Sequence, residues 1–356
     1  MTTERNSASH IRIGRQPPGS PGSPGGPGSP ESGGRGFSGP RRRLYGVTVV
    51  AAAAIAVVGV LVWVGARGQA HAEGLNCSAT PSQCSYADAT NTGVPSGTTL
   101  ASVPSQVSSG PGWKYVAADG EVLVSTNGTV LSGLYIPYEL VVDASNVTVN
   151  NVQVVSGGSF GVALENTTNV TIENSTVSGV NATTLRVGSA IDDVYGDSTG
   201  TVVKNDNISL FKTGIQISTG LIEGSYIHAP GYIAGDHTNG IYVNGGTAPL
   251  TIENNTIFNS ASETDAINLD AGSAGSAVAN KTIENNFLAG GTYTIYGGDG
   301  PNNPTSNIVI ENNRFGQLYY PTSGQFGAAA YYSTTGTGNV WSGNFWDTTG
   351  LAIAAP

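Results

Sequence analysis

The stretch "LTIENNTI", Leu250 to Ile257, alternates apolar and polar side chains and carries two adjacent asparagines at its centre. A period of two is that of a strand with one buried face, and it does not fit a helix. The phrase recurs. It reads "TVLSGLYI" from Thr129, "VTVNNVQV" from Val147, "VTIENSTV" from Val170, "TVVKNDNI" from Thr201 and "GLIEGSYI" from Gly220. It returns as "KTIENNFL" from Lys281, "IVIENNRF" from Ile308 and "NVWSGNFW" from Asn339. Aligned on the third residue, Leu131, Val149, Ile172, Val203, Ile222, Ile252, Ile283, Ile310 and Trp341 lie 18, 23, 31, 19, 30, 31, 27 and 31 residues apart. A phrase that persists while its spacing varies marks stacked repeats with loops inserted between them.

A second short strand recurs between the phrases: "GVALEN", "SAIDDV", "GIQIST", "GIYVNG", "AINLDA" and "TIYGGD". A propeller needs about four strands in each repeat of about 40–45 residues, and a leucine-rich repeat needs leucines this chain lacks. The expected fold is therefore all-β, a right-handed parallel β-helix of about nine coils over residues 112–356. At a strand spacing of about 4.8 Å, nine coils stack to roughly 40 Å. One position of the phrase is asparagine in six coils (Asn151, Asn174, Asn205, Asn254, Asn285, Asn312) and glycine elsewhere, as at Gly224 and Gly343. Both residue types tolerate left-handed backbone, so this column is expected at a bend between sheets, its amides hydrogen-bonded along the stack.

The N-terminal part has another character. Residues 1–46 are dominated by Gly, Pro, Ser and Arg and cannot bury enough apolar surface to fold, so a disordered tail is expected. Arg41 to Arg43 precede an uncharged run of 18 residues, Val47 to Val64, about the length that spans a bilayer. Residues 47–65 are read as a transmembrane signal-anchor helix with a cytoplasmic N-terminus. The rival reading is secretion after cleavage near Ala72, since "AHA" resembles a cleavage site. Residues 66–111 follow as an exported linker and cap. Their two cysteines, Cys77 and Cys84, are expected to form a disulfide in an oxidising compartment. Residues 1–72 hold 8 Arg and 2 acids, a net +6, and residues 73–356 hold 6 basic and 22 acidic residues, a net −16. An exported domain so acidic is a poor partner for nucleic acid.

The chain from about residue 77 to 345 resembles the actinobacterial right-handed parallel β-helix proteins of the pectate-lyase-like superfamily. The likeness is carried by "DATNTGVPSGTTL", by the coil "GEVLVSTNGTVLSGLYIPYELVVDASNVTVNNVQV" and by "GSYIHAPGYIAGDHTNGIYV". In that group the last segment commonly reads His-Thr-Asp-Gly-Ile-Gln; here Asn239 and Tyr242 stand at the Asp and Gln positions. The superfamily includes lyases, hydrolases, epimerases and binders, and fold alone does not choose among them. A pectate lyase resemblance would imply a calcium cluster of aspartates with a basic residue, and the exported part has only Arg186 and Arg314 as arginines. A polygalacturonase resemblance would imply Gly-His-Gly and Arg-x-Lys beside three aspartates. Asp192 and Asp193 are present and the two motifs are not. No cofactor is expected. Calcium has only "GGDG", Gly297 to Gly300, as a single fragment of a calcium-binding repeat.

Stacking the second strands by their Gly/Ala-Ile pairs sets Asp192, Gln216, Tyr242, Asn268 and Tyr296 in one outward column. Ser218, Asn244, Asp270 and Gly298 form the next. Before the strands, Asn239 stacks with Asp265 and Tyr293, and His237 with Glu263. Tyrosines, amides and carboxyls on one flat face suit a sugar, by ring stacking and by hydrogen bonds to hydroxyls. Asp236 and Asp265 beside His237 are the carboxylates that hold an imidazole in one tautomer for general-base work. The candidate catalytic set is thus His237, Asp236, Asp265 and Asp192. The candidate substrate-binding set is Tyr242, Asn239, Asn244, Asn268, Asp270 and Tyr296. His228 is expected to line the same loop. The expected function is polysaccharide binding, with cleavage of the lyase or glycosidase type, against the alternative of a non-catalytic adhesive surface rod. Were the group's usual Asp the proton carrier, Asn239 would make this chain a binder.

Overall fold

The structure is a computed structural model that describes residues 77–270, 277–300 and 305–356. The tail, the apolar run 47–65 and residues 66–76 lie outside the described residues. Among the described residues no helix is long and apolar enough to cross a membrane. The described residues all fall within one compact unit, 67–356.

Apart from a single turn of 3-10 helix, Pro81–Cys84, the regular structure is strand. It forms two long sheets, sheet A of 17 strands and sheet B of 11. Sheet A is parallel throughout. Sheet B opens with antiparallel Ser109–Gly110, Trp113–Val116 and Glu121–Val124 and is parallel thereafter. This architecture is compatible with a parallel β-helix. Each coil gives sheet A two runs and sheet B one. The nine aligned residues of the repeated phrase meet as direct neighbours, from Leu131 on Val149 through Ile252 on Ile283 to Ile310 on Trp341. Register is strong here because a slip of one residue would turn every buried Val and Ile to solvent. All of these residues except Trp341 are fully buried.

The bend between the two sheet A runs sits at the expected column. Asn151, Asn174, Asn205, Asn254, Asn285 and Asn312 have φ between 49° and 57°, and Gly224 and Gly343 have 60° and 62°. The amide ladder does not run through that column. It runs through the next residue, which the bend turns inward: Asn255, Asn286, Asn313 and Asn344, all buried. Each of the first three accepts from the Asn one coil before or donates to the Asn one coil after at 3.0 Å, and each Nδ2 also donates to an Ile carbonyl, Ile222, Ile252 and Ile283 in turn, at 2.8–2.9 Å. In earlier coils Ser175, Asp206 and Ser225 continue the column. Asn254, Asn285 and Asn312 are exposed. The correction follows from geometry: the left-handed residue points out, and the residue after it points to the core.

Two features concern residues 77–111. Ala101–Ser102 already pairs with Leu134 and Tyr135 in sheet A, within the segment read as linker and cap. Residues 77–94 run lengthwise over the outside of the second sheet A runs. Ser78 reaches Asp347 at 3.0 Å, Tyr86 packs on Phe287 with centroids 5.2 Å apart, and the Gly93 and Val94 amides donate to Asn205 O and Thr176 Oγ1. This strap explains why Phe258, Phe287 and Ala289 are buried although they face away from the main core. Cys77 and Cys84 are joined as a disulfide within it. Arg314 lies over the Tyr86 and Phe287 rings and bonds Asp347 through Nε at 2.5 Å, which fixes it as a strap contact.

Candidate functional site

Sheet B holds the candidate residues. Ile191, Ile215, Ile241, Ile267 and Ile295 stack in register, and the residue after each faces outward: Asp192, Gln216, Tyr242, Asn268 and Tyr296. The residue before each Ile also points inward, because the strand bends there toward sheet A. A Cβ added at Gly240 would meet Ile257 Cγ2 at 2.5 Å and Ala266 O at 2.6 Å, so this close approach admits glycine. Two inward residues in succession return Ser189, Thr213, Asn239, Asp265 and Tyr293 to the outward side, one column earlier. Loops border that column, and all of these but Tyr293 are buried.

Residues of the candidate sets meet in three places. Tyr242 Oη donates to Asp270 Oδ2 at 2.6 Å; burial and this carboxylate both raise the phenol. Asn268 Nδ2 lies 3.4 Å from Asn239 Oδ1, and Asn244, exposed, stands beside Asp270 in register. Asp265 lies against Tyr293 and Tyr296 of the next coil. Burial pushes its carboxyl up to about 8, opposed only by the Tyr293 amide, which does not reach hydrogen-bond geometry with either oxygen. Burial, then the Asp265 charge and the neighbouring rings, push Tyr296 up to about 12.

Other groupings are not formed. Asp236 does not hold His237. It is clasped by Arg186, whose Nε and Nη2 donate at 2.7 and 2.5 Å, and by the Ile233 amide at 3.0 Å. Burial alone would raise this carboxyl, and the hydrogen bonds and charge of Arg186 keep it below the ordinary range. His237 is exposed, and no hydrogen bond to it is formed among the described residues. Asp192 is buried and pushed up to about 6 by that burial, with Asp193 adding and the Ser189 hydroxyl opposing. It lies three strand spacings from the Asp265 coil, about 14 Å along the stack. His228 is on sheet A, stacked on Tyr226 at 3.8 Å with Nε2 3.0 Å from Asn207 Oδ1, and burial lowers it to about 4. Asp299 of "GGDG" accepts from the Thr305 amide at 3.2 Å. No three His, Cys, Asp or Glu side chains gather as a metal-holding group among the described residues.

Sequence reasoning weighed Arg186 only as a lyase-type base, without its link to Asp236, and passed over Phe326 and Tyr331. Arg186 immediately precedes a candidate strand, and that adjacency was its one signal. The coil carrying the two aromatics includes Gly327–Ala330, "GAAA", whose lack of alternation hides the strand that pairs with Tyr293–Tyr296. No protein-family model matches this chain, and no curated protein matches it.

Proposed function

We propose that the chain is an exported glycan-binding protein, held at the membrane by residues 47–65, whose compact unit, 67–356, is a right-handed parallel β-helix of the pectate-lyase-like kind. The binding surface is the outward face of sheet B. The observation that carries this reading is the unbroken outward column Asp192, Gln216, Tyr242, Asn268 and Tyr296, in register over five coils. Side chains repeated at strand spacing offer a polymer one ring face or amide after another, and amphipathic tyrosines meet sugars with little loss of conformational entropy.

Binding without cleavage fits the geometry better than hydrolysis or elimination. Paired carboxyls of glycosidases lie about 5–9.5 Å apart. The two carboxyls raised by burial in the outward columns, Asp192 and Asp265, are about three strand spacings, or ~14 Å, from each other. His237 lacks an orienting carboxylate because Arg186 takes Asp236. Asn239 offers an amide where a proton carrier would be needed.

The test is a panel of neutral, amino and uronate polysaccharides, read for both retention and product formation, with Tyr242→Ala and His237→Ala variants. The expected result is retention of at least one glycan, weakened about tenfold by Tyr242→Ala and unaffected by His237→Ala, with no product. Product formation lost in His237→Ala would replace the binder with an enzyme. Failure of every glycan to bind would favour an adhesive or structural rod.

A further inference from the structure

Four aromatic rings gather at one end of the outward face of sheet B. Tyr293 and Tyr296 lie 5.6 Å apart between centroids, Phe326 stands 6.1 Å from Tyr293, and Tyr331 meets Tyr296 edge-on at 5.1 Å. Phe326 and Tyr331 are 64% and 62% exposed, so two of the rings add little to the core. Beside them lies Asp265, with no accessible surface and no hydrogen bond to either carboxyl oxygen. Buried polar groups are nearly always paired, and leaving one unpaired costs about 1–3 kcal/mol.

Among the described residues no Lys or Arg is placed to answer this carboxyl. Arg186 is paired with Asp236, Arg314 with Asp347, and Lys204 with Glu223. Lys281 Nζ is taken by the Ser218 and Ala248 carbonyls at 2.8 and 2.6 Å. Lys212 lies near enough to Asp236 to act on its charge, and Lys114 belongs to the antiparallel start of sheet B. A carboxyl without a counter-ion, next to several ring faces, is the composition that recognises an organic ammonium: the carboxylate supplies the charge and the rings their negative faces.

We propose that this end of the surface takes the protonated amino group of an amino-sugar residue, so that the glycan engaged is one bearing free amines. The inference rests on sheet B being a glycan surface and names the substrate class. A uronate polymer would bring its carboxylates against Asp192, Asp265 and Asp270 on a domain of net charge −16. In the free protein, burial holds Asp265 mostly protonated at neutral pH. An arriving ammonium favours the ionised form, so the carboxyl proton leaves to solvent as the ion pair forms.

The experiment is titration calorimetry on the intact protein at pH 7, in two buffers of different ionisation enthalpy. The probes are four tetrasaccharides: β-1,4-linked glucosamine, its N-acetylated form, β-1,4-linked glucose, and galacturonate. The expected result is that the glucosamine tetramer binds about 10- to 100-fold tighter than the glucose tetramer, the range of a charge-assisted contact. Relative to the Asp265→Asn variant, its binding should also shift the proton balance toward release, since the carboxyl ionises while the neutral fraction of the amines takes up protons. Asp265→Asn should abolish both the preference and that release. Phe326→Ala and Tyr331→Ala, at exposed positions, should reduce the preference and serve should Asp265→Asn not fold. Equal binding of the amino and neutral tetramers, or a preference for galacturonate, overturns the inference and leaves the glycan surface standing. A preference that survives Asp265→Asn also overturns it, since it would come from the overall acidity of the domain. If no tetrasaccharide binds, the glycan reading fails and this inference with it.

Discussion

Replacing Asn286 by Leu tests what holds the coils in register. Its side chain makes four hydrogen bonds: Nδ2 to Ile252 O at 2.8 Å and to Asn313 Oδ1 at 3.0 Å, and Oδ1 from the Asn255 amide and from Asn255 Nδ2, both at 3.0 Å. Two partners keep a second bond after the change: Asn255 Nδ2 still reaches Ile222 O, and Asn313 Oδ1 still accepts from the Asn286 amide. The Asn255 amide is left unpaired, while Ile252 O keeps its place in the strand pairing with Ile283. Four hydrogen bonds at about 0.5–1.5 kcal/mol each amount to roughly 2–6 kcal/mol lost. Burial of the leucine returns about 1.5–3 kcal/mol where it fits, and the net expectation is a destabilisation of about 2 kcal/mol. Asn285→Leu is the matched control. That position is exposed at φ 55°, and the left-handed backbone costs a branched residue about 1–2 kcal/mol. Asn285→Gly should be near neutral. Guanidinium denaturation read by circular dichroism gives the ranking. The ladder argument fails if Asn286→Leu lies within about 0.5 kcal/mol of the parent, the usual range of a surface change, or if Asn285→Leu is the more damaging.

Asp206→Asn should stabilise. Asp206 occupies a ladder position with Oδ1 accepting from the Ser175 amide at 2.7 Å and Oδ2 buried without a partner, and burial raises its pKa well above the ordinary value. A folded pKa above the unfolded one, about 3.9, means stability is greatest at low pH and is lost as pH rises through the interval between the two. The gain from Asp206→Asn should therefore be large at pH 8 and small at pH 4; an equal gain at both would show that the carboxyl does not titrate. Reduction of Cys77–Cys84 should speed hydrogen exchange in residues 77–94 and leave the Asn286 coil protected, because the disulfide closes a local loop in the strap. Arg186→Lys should make residues 229–238 more open to proteolysis without a shift in melting temperature above a few degrees, since lysine cannot reproduce the two-pronged bond to Asp236. Unchanged cleavage there would mean the loop is held by its packing alone.

The phrase "ENN" shows how far sequence reading reached. Alternation located the strands and aligned Ile252 with Ile283 and Ile310, because a one-residue slip would expose each of them. Of the two successive asparagines, the first was expected both to bend the backbone and to build the ladder, and the structure gives the ladder to the second. Only the direction of the chain after the left-handed residue decides it, and that direction is a three-dimensional fact. The outward columns of sheet B were legible for the same reason as the core, since they are its complement. The bordering loops were not. Arg186 meets Asp236 across 50 positions of sequence, and no periodicity links the two. The strap was hidden likewise: residues 77–94 carry no repeat, and what they cover lies from about 80 to 270 residues further along the chain.

Register and surface are fixed by different residues, and that separation bears on function. The ladder of Asn255, Asn286, Asn313 and Asn344, the inward Val and Ile columns and the small residues at the sheet B bend set the coil geometry. None of them projects outward on sheet B. The outward columns are therefore free of the need to hold the fold, and their composition is not explained by stability. Tyr242–Asp270 is a satisfied pair and fits either a polar surface or a binding one. Asp265 does not admit both accounts. An isosteric amide there would avoid the burial of an ionisable group, and it would give the site a donor. The carboxyl is a standing cost to the folded state at neutral pH, relieved when something positively charged arrives beside the Tyr293 and Tyr296 rings. On that reasoning Asp265→Asn should raise the melting temperature of the free protein at pH 8 and lower its response to an added glucosamine oligomer. A variant that is less stable than the parent at pH 8 would show that the carboxyl belongs to the scaffold after all.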